Sequence, residues 1–241
     1  MNFELLFQLL LNGLIVGTLY GVVAMCFVLI YKSTQIVNFA QGEFLLIGAW
    51  VCYAFLVEMH MPFWLGFIFT LLFMMAFGII LQMVVLRPMI GEPIISVIMV
   101  TIGLSIFFQA ATKWIFGATT ATYPQVFETR SVNLMGMQIE TAYIMSFVIS
   151  LVIMAAFYWF FKYSKLGLAM RATAFDQQVA QSLGISVKTV FAMSWAISAL
   201  VSGVAGIVIG MVNGVSSALS VLGINVFPAA ILCRLASLSL L

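Results

Sequence analysis

The 241 residues are 65% hydrophobic and 7% charged, with a mean hydropathy of +1.24 and a net charge of +2. Soluble domains carry roughly a quarter charged residues, and nine basic and seven acidic side chains cannot coat a water-facing surface around this much apolar mass. The composition argues against a soluble enzyme, a disordered chain and a nucleic-acid binder, and points to the lipid bilayer as solvent.

A membrane-spanning helix uses roughly 20 apolar residues, so the length accommodates an all-α, polytopic integral membrane helical bundle of about seven spans and no large soluble domain. Charge-free stretches mark them in chain order: residues 5–31, 36–57 with Glu43 inside, 62–86, 93–116 with Lys113 near its end, and 141–161. The run 189–233 is too long for one helix, and its polar cluster Asn213, Gly214, Ser216, Ser217 and Ser220 divides it in two. None of the runs alternates apolar with polar residues, and each is longer than a membrane β-strand requires. Only Glu4 carries charge ahead of the first run. The basic leader of a signal peptide is missing there, and the run reads as a retained helix.

Basic residues set the direction. The segment 162–188 holds Lys162, Lys165, Arg171 and Lys188 against Asp176. With it in the cytoplasm, Lys32 and Arg87 fall on the same side, while Lys113 and Arg130 fall outside with Glu58, Glu128 and Glu140. The N-terminus is then predicted outside.

Three features stand out within this frame. Gly13, Gly17 and Gly21 recur every four residues in the first span, as do Gly206, Gly210 and Gly214 in the sixth. That spacing lines one helical face and lets a neighbouring backbone come close, within a bundle or across a dimer; it is equally the pattern of ordinary intramembrane packing. Glu43 lies inside the second span beside Asn38, Gln41 and Gly42. A carboxylate there costs about 3 kcal/mol on insertion scales, which favours a break in the helix lining a polar path over a residue that snorkels to the interface. Thr101, Gly103, Ser105 and Gln109 in the fourth span are candidates for the same path or for interhelical hydrogen bonds. Third, residues 166–185 read as a short amphipathic helix, with Ala169, Ala172, Val179, Ala180 and Leu183 on its apolar side and Gly184 as its C-terminal cap. Such a helix lies on a membrane or docks on a soluble partner.

Absences narrow the chemistry. The sequence has no Gly-Lys-Ser or Gly-Lys-Thr, so no phosphate-binding loop. His60 is the sole histidine and Asp176 the sole aspartate, which excludes a multi-histidine metal site and a two-aspartate intramembrane protease. Cys26, Cys52 and Cys233 sit in apolar stretches and read as small core residues. The expectation is a protein without enzymatic activity and without a cofactor of its own.

Four segments carry a family resemblance. They are Asn12-Gly13-Leu14 through Tyr20-Gly21 to Leu29-Ile30-Tyr31; Ile36-Val37-Asn38-Phe39-Ala40-Gln41-Gly42-Glu43-Phe44; Thr101-Ile102-Gly103-Leu104-Ser105; and Gly167 to Ala174 followed by Gly184-Ile185. Over roughly residues 9–230 the chain resembles the first permease subunit of branched-chain amino acid ABC importers. The resemblance implies one transmembrane permease domain, 1–241, in a bacterial inner membrane, moving branched-chain or other hydrophobic amino acids inward. It implies a second permease subunit, usually making a heterodimer, an extracytoplasmic substrate-binding protein, and two ATP-binding subunits that hold the ATP and Mg. It also implies that the cytoplasmic loop 162–189 couples to those ATPases through Arg171, Asp176, Gln178, Val179, Ala180 and Gly184. Urea or short amides are the alternative cargo, since permeases for them share the Asn-Phe-Ala-x-Gly signature, and a stand-alone ion-coupled carrier is a reading from another class. Two departures are visible. Gln178-Val179-Ala180 keeps only the last residue of the family's Glu-Ala-Ala, and the text after Ala230 leaves the family pattern at Cys233-Arg234, where a truncation or change of frame is expected.

Overall fold

The computed structural model of the chain describes residues 3–89, 92–124, 131–134 and 137–238. Its helices are α1 (Phe3–Thr34), α2 (Gln41–Tyr53), α3 (Phe63–Leu81), α4 (Ile94–Phe116), α5 (Thr141–Tyr163), α6 (Lys165–Phe175), α7 (Gln177–Ser182), α8 (Val187–Asn213) and α9 (Ala218–Leu238). A π turn, Ala54–Glu58, extends α2, and a π turn, Gln82–Leu86, followed by a 3-10 turn, Arg87–Met89, extends α3. Among the described residues six helices, α1 to α5 and α8, are long and apolar enough to cross a membrane, and α9 adds 21 residues around Pro228. The protein is a polytopic helical bundle. One hairpin outside the spans, β1 (Ser131–Leu134) paired antiparallel with β2 (Met137–Glu140), has no counterpart in the sequence-based expectation.

Local chemistry sets the ends. Pro62 and Pro93, which have no backbone N–H to leave unpaired, precede α3 and α4. Asn213 closes α8, and Gly214 follows with a φ of +79° that a side chain would strain. Beyond it Val215 pairs with Ala121, with N–H···O distances of 2.9 and 2.7 Å.

The centre of the bundle is α8. Of its membrane-spanning window 78% is buried, against 17% for α4 and for α5. Small residues make this possible. Ser194, Ser198 and Ser202 line up at four-residue spacing, all fully buried, and Gly203, Gly206 and Gly210 meet the neighbouring helices. A Cβ at Gly48 would lie 2.5 Å from the Gly203 Cα, one at Gly206 would overlap the Leu45 carbonyl, and one at Gly78 would lie 2.6 Å from the Trp195 carbonyl oxygen. In lipid no hydrophobic force draws helices together, so dispersion across such close backbones holds the bundle.

The start of α2 is deep inside. Gln41, its first residue, meets Ser198 and Ser202, near the middle of the 27-residue α8. Leu45 then lies against Gly206 and Ala49 against Gly210, so α2 and α8 run parallel and in step. Residues 35–40, between α1 and α2, are not helical. The second span is therefore broken: the part that follows α1 is irregular chain and the rest is helix.

Candidate functional site

Irregular backbone at membrane depth must find partners inside the protein. Asn38 supplies several of them. Its Oδ1 accepts from the Ala40 N–H at 3.0 Å, its carbonyl accepts from the Gln41 N–H at 3.3 Å, and its Nδ2 donates to Gln41 Oε1 at 3.2 Å. The Thr101 hydroxyl reaches across from α4 to the Val37 carbonyl at 3.4 Å while also donating to Ile98 at 2.8 Å. Gln41 Nε2 donates to Ser202, and the Ser198 hydroxyl lies 3.2 Å from Gln41 Oε1 and 3.4 Å from the Cys26 carbonyl. The break is thus lined by a hydrogen-bonded polar network spanning α1, α2, α4 and α8.

Glu43, in the first turn of α2, faces the other way. It is 1% exposed. Ser105 donates to its Oε1 at 3.1 Å, but no donor among the described residues reaches Oε2 in hydrogen-bond geometry. Ser220 at the start of α9 stands close enough to interact with the carboxylate, and Gln109 Nε2 donates to the Ser220 hydroxyl at 3.2 Å. No ion pair with Glu43 occurs among the described residues. Gly42 brings α9 this near: a Cβ there would overlap the Ser220 carbonyl, and one at Gly223 would overlap the Gly42 backbone. Ser105 and Gln109 are themselves only half-buried, so the cluster is closed toward α8 and approachable between α4 and α9.

Of the residues picked from sequence for a path, Asn38, Gln41 and Thr101 share the first network, and Glu43 and Gln109 the second. Gly42 forms the α2–α9 crossing, whereas Gly103 faces open space, where a Cβ would meet nothing within 4 Å. The structure adds Ser198 and Ser202 on α8 and Ser220 on α9, which hold the predicted residues from helices far along the chain. The four-residue spacing of the α8 serines was their only trace in the sequence, and Ser220 stood out only as a member of the polar cluster that divides the run 189–233.

A sequence profile described as the branched-chain amino acid transport system, permease component, matches residues 9–240. The chain belongs to that family. The permease is 28% identical to the high-affinity branched-chain amino acid transport system permease protein LivH of Salmonella typhimurium, over 96% of this chain and 80% of that one. LivH of Escherichia coli K12 gives the same identity and coverage. BraD of Pseudomonas aeruginosa, also a high-affinity branched-chain amino acid permease protein, is 30% identical over 96% of this chain and 80% of its own. No solved structure matches. The chain is a multi-pass membrane permease of amino-acid transport type.

On the loop that follows α5, the expected single amphipathic helix is two. Asp176 breaks it with extended backbone (φ −154°, ψ 118°) and caps α7, its Oδ1 accepting from the Gln178 and Val179 N–H groups at 2.7 and 3.0 Å. Gly184 ends α7 at φ +82°, where the Ile185 N–H bonds the Ala180 carbonyl and the Gly184 N–H the Gln181 carbonyl, a Schellman closure. The split also divides the expected apolar side. Ala180, with Met170 and Thr173, is buried within the permease, whereas Phe175, Val179 and Leu183 are exposed, Phe175 at 96%. Arg171 and Gln178 lie beside them, both on the surface. A Cβ at Gly167 would lie 2.7 and 2.8 Å from the Phe160 and Phe161 carbonyls, so α6 is tied closely to the end of α5.

At the opposite end of the bundle, the segment after α4 folds back onto α2 and α8. The Tyr123 hydroxyl donates to the Ala49 carbonyl at 2.7 Å. Burial, with the Cys52 thiol beside it, pushes the Tyr123 phenol well above its ordinary pKa, so it stays a donor at any physiological pH.

The two glycine rows differ. Gly206 and Gly210 touch other elements, Gly210 through the Tyr123 ring and Val215, and Gly214 closes α8. Gly21 reaches only Met154 at 4.0 Å, and Gly13 and Gly17 touch nothing within 4 Å.

Proposed function

We propose that the permease is the membrane-spanning subunit of an inner-membrane ABC importer for branched-chain and related hydrophobic amino acids, with its N-terminus outside. The observation that carries this reading is the broken second span: Asn38 to Glu43 place a polar, partly irregular segment at the middle of an otherwise apolar bundle. Broken helices of this kind are how transporters present polar groups to a solute at membrane depth. Asn38, Gln41, Glu43, Thr101 and Gln109 belong to this path, with Ser105 and Ser220 supporting Glu43.

The chain has no phosphate-binding loop, so energy enters from outside it. The exposed apolar side chains Phe175, Val179 and Leu183, next to Arg171 and Gln178, form a docking face on a loop anchored to the ends of the spans. A pair of ATP-binding subunits seated there would pass their closure to α5, α6 and α8. Ala180 contributes by shaping α7 from within, not by touching the partner. A second permease subunit would cover the open flank of α4, and a substrate-binding protein would deliver solute at the Tyr123 end.

Uptake into proteoliposomes tests the reading. Assembled with its partner subunits, the permease is expected to accumulate L-leucine only when ATP and the binding protein are supplied. Accumulation of urea in place of leucine would change the cargo. Uptake by this chain alone, driven by an ion gradient, would replace the importer with a secondary carrier.

A further inference from the structure

A carboxylate oxygen without a donor in hydrogen-bond geometry among the described residues, on a residue that is almost fully buried, asks what meets it. The Glu43 carboxylate has Ser105 and Ser220 close by, yet only Oε1 receives a hydrogen bond of good geometry among the described residues. Ser105 occupies Oε1, Gln109 and Ser220 bond each other beside it, and Oε2 is left open. The nearest cation that acts on it, Lys113, stands two helical turns beyond Ser105 on α4 and forms no ion pair with it. Burying an unpaired carboxylate is among the costliest choices a membrane protein makes. The α2–α9 crossing beside Glu43 is closed by Gly42 and Gly223. The surroundings are those of a site for a small cation: one carboxylate, two hydroxyls and one amide from three helices, reached between α4 and α9 past half-buried side chains.

We propose that Glu43 Oε2 is the acceptor for a primary ammonium group, and that Ser220 and Gln109 complete its hydrogen-bonding shell. An ammonium has three donors. Oε2 takes one as a charge-assisted bond, and the Ser220 hydroxyl and the Gln109 side-chain carbonyl take the others after small rotations. The inference rests on the amino-acid reading above and deepens it: the permease would recognise the one group that separates an amino acid from a fatty acid of the same carbon skeleton or from urea.

The test uses the whole complex in lipid nanodiscs and three probes: L-leucine, 3-methylbutylammonium, which keeps the ammonium without the carboxylate, and 4-methylpentanoate, which keeps the carboxylate without the ammonium. Titration calorimetry of the wild type is expected to show binding of the first two and not the third. Glu43→Gln should weaken both at least tenfold while the complex elutes and melts as wild type, and Glu43→Asp should keep binding within about threefold of wild type. Should Glu43→Gln fail to assemble, Ser220→Ala supplies the readout, with an expected loss of about three- to tenfold for the ammonium probe. Equal binding by wild type and the Gln variant, or no binding of 3-methylbutylammonium by wild type, overturns the proposal; the latter is the result if a basic side chain of a partner subunit already fills Oε2. Leucine uptake by the wild type is measured separately. Ammonium binding without uptake would remove the import reading and leave the site standing, and uptake without ammonium binding would do the reverse.

Discussion

Two rows of glycine at the same spacing have opposite surroundings. On α8, Gly206 and Gly210 lie against the α2 backbone and the Tyr123 ring, in the most buried helix of the bundle; on α1, Gly13 and Gly17 face open space. Hydropathy does not tell the helices apart, at 2.1 for α8 and 2.4 for α1. What differs is the company: the α8 glycines follow Ser194, Ser198 and Ser202, buried on the same helix and in part bonded across the bundle, whereas the α1 row is flanked by Leu9, Leu10 and Leu14, all exposed. Small residues make a close approach possible, and polar residues beside them fix which neighbour approaches.

The largest effect should come from the seam. Gly206→Leu sets a side chain where the Leu45 carbonyl stands, and neither helix can retreat without breaking the Gln41–Ser202 contact. Overpacking of this kind costs about 1–3 kcal/mol or more; no assembled protein should be recovered by size-exclusion chromatography, and normal recovery would mean that α2 and α8 are not in contact. Next come the two sides of the docking loop. Phe175→Asp should leave the permease folded and cut leucine uptake at least tenfold in a reconstituted complex, while Ala180→Asp should lower its thermal stability, since it buries a charge. Identical behaviour of the two variants would erase the distinction between the outward and inward faces of α6 and α7. A smaller change is expected from Tyr123→Phe, which deletes one buried hydrogen bond to Ala49 and should cost about 1 kcal/mol in equilibrium unfolding. The smallest belongs to the other glycine row. Gly17→Ala meets open space and should shift stability by no more than about 0.5 kcal/mol; a large loss would show that this face is covered in the isolated chain.

Much of this was legible in the residues. Long apolar runs mark the spans, because nothing else in a cell is solvated by so uniform a surface. The polar cluster from Asn213 to Ser220 does mark the boundary, with Gly214 to Ser217 lying between α8 and α9, and Glu43 is conspicuous because a charge within a span needs a reason. The partners were not legible. Ser202 meets Gln41 from 161 positions away, and serine sits mid-scale in hydropathy, so nothing in the local text flags it. Asp176 misled in another way. As an amphipathic position it suits one continuous helix, yet its short carboxylate prefers to cap a new one, and the loop splits there. The β1–β2 hairpin was missed because two strands of four residues leave almost no periodic signal.

In the proposed importer the break at Asn38 to Glu43 is reached by water during transport, unlike the α1 glycine face. In a variant lacking Cys26, Cys52 and Cys233, single cysteines at Ser105, Gln109 and Gly17 can be challenged with a small, water-soluble thiol reagent during ATP-driven turnover. Labelling is expected at 105 and 109, slowed at least threefold by leucine, with none at 17. No labelling at 105 and 109 in any state, with leucine uptake intact, would contradict this access.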